Sequence, residues 1–181
     1  MFQKLFGFGQ RSRRVVIDAL YERIVAASRQ PVFYADWQVP DTPLGRFEMI
    51  GVHMILFLRR LREEPGTARD VAQEVTDVFF RDVEHAIREL GIGDLGVPKR
   101  IKKLARMFYG RAATYSEAID AGDADALAQA LARNVKPDLA DWDGAAPIAA
   151  YALKAADALA SQPLERLLAA DISFPTANAE D

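Results

Sequence analysis

An all-α protein is expected from three observations. Apolar residues recur at helical spacing over most of the chain, Pro and Gly interrupt it at helix-length intervals, and no segment alternates as a strand would. The 181 residues suffice for one buried core, and 50% hydrophobic with 27% charged side chains is a globular balance. The expected architecture is a single-domain array of six to seven helices around one central, buried helix.

The elements follow in order. Residues 1–13 read as a flexible arm, with Phe2, Leu5, Phe6 and Phe8 set among Lys4, Arg11 and Arg13; that composition suits a lipid interface. A helical domain is expected over 14–172 and a polar tail over 173–181. Val16, Leu20, Ile24 and Ala27 stripe a first helix, about 14–29, which Gln30-Pro31 ends. Residues 32–40 read as an extended aromatic connector. Asp41-Thr42-Pro43 is a helix start, a capping side chain followed by Pro in the first turn. From there to Arg62, Phe47, Ile50, Met54, Ile55, Phe57, Leu58 and Leu61 cover most of the circumference, which marks the central helix.

Glu63-Glu64-Pro65-Gly66 breaks that helix, and Thr67-Ala68-Arg69-Asp70 reads as a capping box opening the next, to about Leu90. The turn Gly91–Gly96 lacks the Gly-Lys-Ser/Thr ending of a phosphate loop. Val97-Pro98 opens a helix that runs to about Ala121, with Gly122 as its stop. Asp123 or Asp125 caps a helix to Val135, closed by Pro137. Trp142 anchors a loop, and helices over about 147–160 and 163–170 complete the chain.

Chemistry-bearing residues are sparse. With no cysteine, disulfides, thiolate nucleophiles and Cys-held metals are excluded, and a reducing compartment suits the chain. His53 lies in the apolar central helix and reads as a core histidine. Asp82 and His85 share a helical face, but a carboxylate–histidine metal site needs a second such helix. The serines have no nucleophile-elbow context. No catalytic, cofactor-binding or metal-ligating set is expected, and the chain reads as a non-enzyme. The most apolar run, Ile50 to Leu58, is broken by His53 and is far short of the roughly 20 residues a membrane span needs. Neither a span nor a secretory leader is expected, which points to the cytoplasm.

Charge is uneven. Residues 120–181 carry 11 acidic and 4 basic side chains, residues 1–119 carry 15 and 19, and the net charge is −3. No acid occurs between Leu95 and Ser116. Within this stretch Lys99, Lys102, Lys103 and Arg106 share one helical face, with Arg100 beside them, while Val97, Ile101, Leu104 and Phe108 share the opposite one. The helix can thus be anchored by one side and hold out a basic row to an anionic membrane surface, to RNA or to an acidic partner. Phe33, Tyr34 and Trp37, just ahead of Asp41 and Arg46, either line a peptide-binding groove or plug the core.

The motifs together resemble the ubiquinol–cytochrome c chaperone family. They are Phe33-Tyr34-Ala35, Val39-Pro40-Asp41-Thr42-Pro43-Leu44-Gly45-Arg46-Phe47-Glu48, Val52-His53 and Leu58-Arg59-Arg60-Leu61, then Phe80-Arg81-Asp82-Val83-Glu84, Arg88 through Val97, Lys99-Arg100-Ile101-Lys102-Lys103 and Phe108-Tyr109-Gly110-Arg111. The family-like core spans residues 33–120, and 123–170 is a less typical helical extension. The resemblance implies a bacterial-type assembly factor for the respiratory cytochrome bc1 complex. Its expected client is newly made cytochrome b, with a small partner protein and the ribosome as further contacts, at the inner face of the cytoplasmic membrane. It adds Tyr109 to the groove candidates and Arg111 to the anion-binding ones. The alternative expectation is a helical module that binds RNA or the ribosome through the basic row.

Overall fold

A computed structural model describes residues 3–139 and 141–178, with side chains from residue 12 onward. Among the described residues there are eight helices and no strand: α1 (Gln3–Ser28), α2 (Pro31–Ala35), α3 (Pro43–Leu61), α4 (Thr67–Glu89), α5 (Val97–Ala121), α6 (Ala124–Val135), α7 (Ala145–Ala160) and α8 (Leu164–Leu168). The all-α expectation holds. The backbone of α1 starts at Gln3, ahead of the expected Arg14. The aromatic and basic side chains expected to form an arm, from Phe2 to Arg11, lie outside the described residues. No helix among the described residues is long and apolar enough to cross a membrane.

α3 is the axis. Twelve of its 19 residues are buried, Met49, Met54 and Phe57 completely. It packs against α1, α4, α5, α6 and α7, because from Phe47 on its apolar residues cover most of its circumference. Thr42 starts it as expected, its hydroxyl accepting from the Gly45 N–H at 3.1 Å. Gly45 admits no other residue, since a Cβ there would sit 1.9 Å from the Pro40 carbonyl oxygen.

Other boundaries depart from expectation for local reasons. The aromatic connector contains the short α2, because Pro31 in its first turn presets the helical φ. Thr67 forms no capping box. Gly66, at φ 66°, is itself the cap, and its carbonyl accepts from Arg69 and Asp70. Gly122 ends α5 in the left-handed region, and Asp123 caps α6 by accepting from the Ala126 N–H at 2.9 Å.

The expected polar tail belongs to the fold through residue 178. Gln30 donates to the Pro175 carbonyl at 3.2 Å and accepts from the Ala177 N–H at 2.8 Å. Gln162 makes the same two-sided clasp on the backbone of Ser173, at 2.8 and 2.9 Å. Ile172 and Ala177 are buried, and the Phe174 ring lies 5.2 Å from His53.

Two glycines of these helices respond oppositely to alanine. Gly45→Ala forces the new methyl into backbone and lowers stability by about 3 kcal/mol or more. Gly110, exposed within α5, has nothing within 4 Å of a built Cβ, so Gly110→Ala raises stability by about 1 kcal/mol through helix propensity. Urea unfolding of the two variants checks both signs.

Candidate functional site

The first half of α3, the last turns of α4 and the first turns of α5 enclose a cavity of about 560 Å³. Its floor is apolar. Phe47 and Phe79 stack at 5.8 Å, and Ile87 is buried beside them. Leu44 of α3 and Leu90, the residue after α4, stand at the mouth, 52% and 59% exposed. Val83, Ala86 and Leu90 form a stripe at i, i+3 and i+7 that faces this space rather than another helix. Arg29, Arg46 and Arg100 line it together with Asp82 and Glu89. Exposed large apolar side chains beside a part-filled cleft suit an apolar polypeptide segment.

The aromatic connector does not form this groove. Phe33 is fully buried and Trp37 nearly so, their rings 5.0 and 6.4 Å from Tyr151 of α7. They plug the core, and the Trp37 carbonyl accepts from the Trp142 indole N–H at 2.9 Å. Tyr34 is half-buried and donates to the Ser28 carbonyl at 3.0 Å. Asp41 and Arg46 pair at 2.6 Å on the surface, where Arg46 holds the Asp41 carboxyl below its usual range. Tyr109 stands apart, 57% exposed, its ring 6.2 Å from Phe80. Of the six groove candidates only Arg46 lines the cavity.

Lys99, Arg100, Lys102, Lys103 and Arg106 are all exposed. Among the described residues no carboxylate lies in ion-pair range of them, whereas Arg13, Arg46, Arg59, Arg60, Arg62 and Arg88 are all paired. Arg111 corrects the expectation for it. Only 8% exposed, it turns into the core and pairs with Glu48 of α3 at 2.7 Å. Its position one turn past Phe108 and one before Tyr115, both buried, is the sequence signal that places it inward.

Glu48, Tyr115 and His53, buried in this core, have displaced protonation. Burial pushes the Glu48 carboxyl up to about 7, although Arg111 opposes the shift. Burial raises Tyr115 as well, with the Glu48 charge adding to it. Arg111 Nε and Tyr115 Oη are buried without a hydrogen-bond partner among the described residues. Burial pushes His53 down to about 4, so the ring is neutral near pH 7. Its Nδ1–H donates to the Met49 carbonyl at 2.8 Å, and its Nε2 accepts from the Tyr151 hydroxyl at 2.9 Å. His53 is thus the core histidine its apolar helix implied. The Asp82–His85 pair separates, Asp82 accepting from the Tyr21 hydroxyl at 2.7 Å and His85 lying 3.2 Å from Glu89. No metal-holding cluster occurs among the described residues.

α3 and the seven other helices around it, with a groove between α3, α4 and α5, make up the described fold, and the sequence carries the signature of the ubiquinol–cytochrome c chaperones. The chain belongs to that family, whose profile, described as ubiquinol-cytochrome C chaperone, matches residues 35–174. The match runs well past residue 120 and takes in α6, α7 and α8. The chain is also similar to the Cbp3 homolog from Brucella abortus, known from its crystal structure, at 50% identity and a TM-score of 0.90 over 99% of this chain and 98% of that one. No curated protein matches the sequence.

Glu48 and His53 pull stability in opposite directions with pH. The folded state holds the Glu48 proton more tightly than the unfolded state, so its contribution is complete below about 4.5 and is lost as pH rises through about 7. The folded state holds the His53 proton less tightly, so its contribution is present above about 6.5 and is lost as pH falls through about 4. The two offset each other between pH 4.5 and 6.5. In Glu48→Gln only the histidine effect remains. Relative to wild type, the variant's folding equilibrium then weakens by up to roughly tenfold for each pH unit from 7 down to about 4.5, and no further below that. Urea unfolding of both proteins at a series of pH values measures the difference.

Proposed function

We propose that this chain is a non-enzymatic assembly factor for the cytochrome bc1 complex that holds an apolar segment of newly made cytochrome b in the groove between α3, α4 and α5. The family match over residues 35–174 carries the reading, and the similarity to a Cbp3 homolog over nearly the whole chain supports it. The groove supplies what such a role needs. A client built for the membrane exposes apolar surface before insertion, and Leu44, Phe47, Val83 and Leu90 offer it apolar cover. No catalytic step is part of this action. The contact is reversible, because the groove is open and its mouth leucines are half free, so the client can leave for the membrane. The reading places the protein in the cytoplasm, at the inner face of the membrane where the client inserts.

Loss of the gene should lower assembled bc1 complex and its b-type haem signal while other respiratory complexes stay near normal. The double variant Leu44→Glu/Leu90→Glu alters two exposed side chains and should fold, yet fail to restore the complex. Reduced-minus-oxidised spectra and native gels of the complemented strain give the readout. Normal cytochrome b without the gene would refute the proposal.

A further inference from the structure

The groove leaves the basic face of α5 and the turn before it unexplained. Leu95 in that turn is 99% exposed. A Cβ built on Gly91 or Gly93 meets nothing within 4 Å, so the turn stands clear of the body. The one acid of the turn, Asp94, is engaged by Arg88, which also binds Glu84. Immediately after the turn come the five cations of Lys99–Arg106, without an ion-pair partner among the described residues and spread over about 10 Å of helix axis. Tyr109, 57% exposed, follows on the flank of the same face, and Gly110 next to it is open.

We infer that this end of α5 is a docking surface for an anionic phospholipid leaflet, with Leu95 entering the acyl boundary and Lys99, Lys102, Lys103 and Arg106 meeting headgroup phosphates. The charge is complementary, and no carboxylate among the described residues pairs with it. The balance of acids and bases on either side of residue 120 favours the same orientation, basic part toward the leaflet. A lipid surface is favoured over RNA by the side chain at the tip. A fully exposed leucine gains from an acyl boundary, whereas single-stranded nucleic acid is gripped by stacked aromatics, and this face has only Tyr109. Arg100 lines both the groove and the turn, so docking brings the groove to the membrane. The inference rests on the proposed function only for its purpose; the docking itself is measured without any client.

The test is co-sedimentation of the full chain with phosphatidylcholine vesicles, with and without phosphatidylglycerol, over a salt series. Binding is expected only to the anionic vesicles and should weaken as salt rises. Lys102→Gln/Lys103→Gln/Arg106→Gln should weaken it by roughly a hundredfold, at about fivefold for each cation removed. Leu95→Ser should weaken it severalfold and leave the salt dependence in place. All four residues are exposed, and an unchanged thermal midpoint certifies each variant. Absence of binding to anionic vesicles, or unchanged binding in either variant, overturns the inference. Tighter binding to a structured RNA, insensitive to Leu95→Ser, overturns it in favour of nucleic acid. If the triple variant loses vesicles but still restores the bc1 complex, docking stands and is not required for assembly. If wild type binds no vesicles yet restores it, docking falls and the chaperone reading stands.

Discussion

Burying α3 beyond its first turn is the constraint from which the rest of the structure follows. Its apolar residues supply the driving force, on the order of 2 kcal/mol for each large side chain taken out of water. Two polar residues go in with them, and each needs a partner, since an unsatisfied buried group costs more than a made hydrogen bond returns. Glu48 is met by Arg111 of α5 and His53 by Tyr151 of α7. These contacts fix where two flanking helices lie. Tyr151 then orders Phe33, and Gln30 and Phe174 close the far side by tying down residues 172–177. The Glu48–Arg111 pair gives position more than stability, because the desolvation of two charges offsets much of their attraction.

The groove is the place where that packing stops short. α1 packs against both α3 and α4, and Ile17 and Leu20 of α1 and Val71 and Val75 of α4 are buried. Toward Leu44 and Leu90 the apolar stripe of α4 continues but no helix covers it. The result is an opening with a packed aromatic floor and exposed leucines at the mouth. A packed floor limits the entropy lost on binding, and leucine side chains can adapt to varied apolar segments.

The fold was legible in the sequence wherever one element carried its own signal. The buried circumference of α3, the Thr42 start and the Gly122 stop are all local patterns. Signals that depend on distant residues were not legible. Phe33 and Trp37 are core rather than surface because of Tyr151, more than a hundred residues later, and the tail is fixed because Gln30 meets Ala177 across 147 positions. The groove escaped notice because Leu44 and Leu90 sit on different elements and look unremarkable singly. The family resemblance counts Arg111 among the anion-binding residues, although its helical phase, shared with Phe108 and Tyr115, turns it inward. The exposed cations of α5 were visible as an acid-free stretch, and the structure adds that Leu95 accompanies them.

The central claim is that the apolar groove holds the client. The most direct measurement is photocrosslinking in living cells from a probe placed at Leu90, at the groove mouth, with a probe at Glu117 on an exposed part of α5 as the control. The account predicts that the Leu90 probe captures cytochrome b, identified by mass spectrometry, and that capture disappears when translation is blocked and existing chains are chased into the complex. Capture of cytochrome b from Glu117 but not from Leu90 would contradict it.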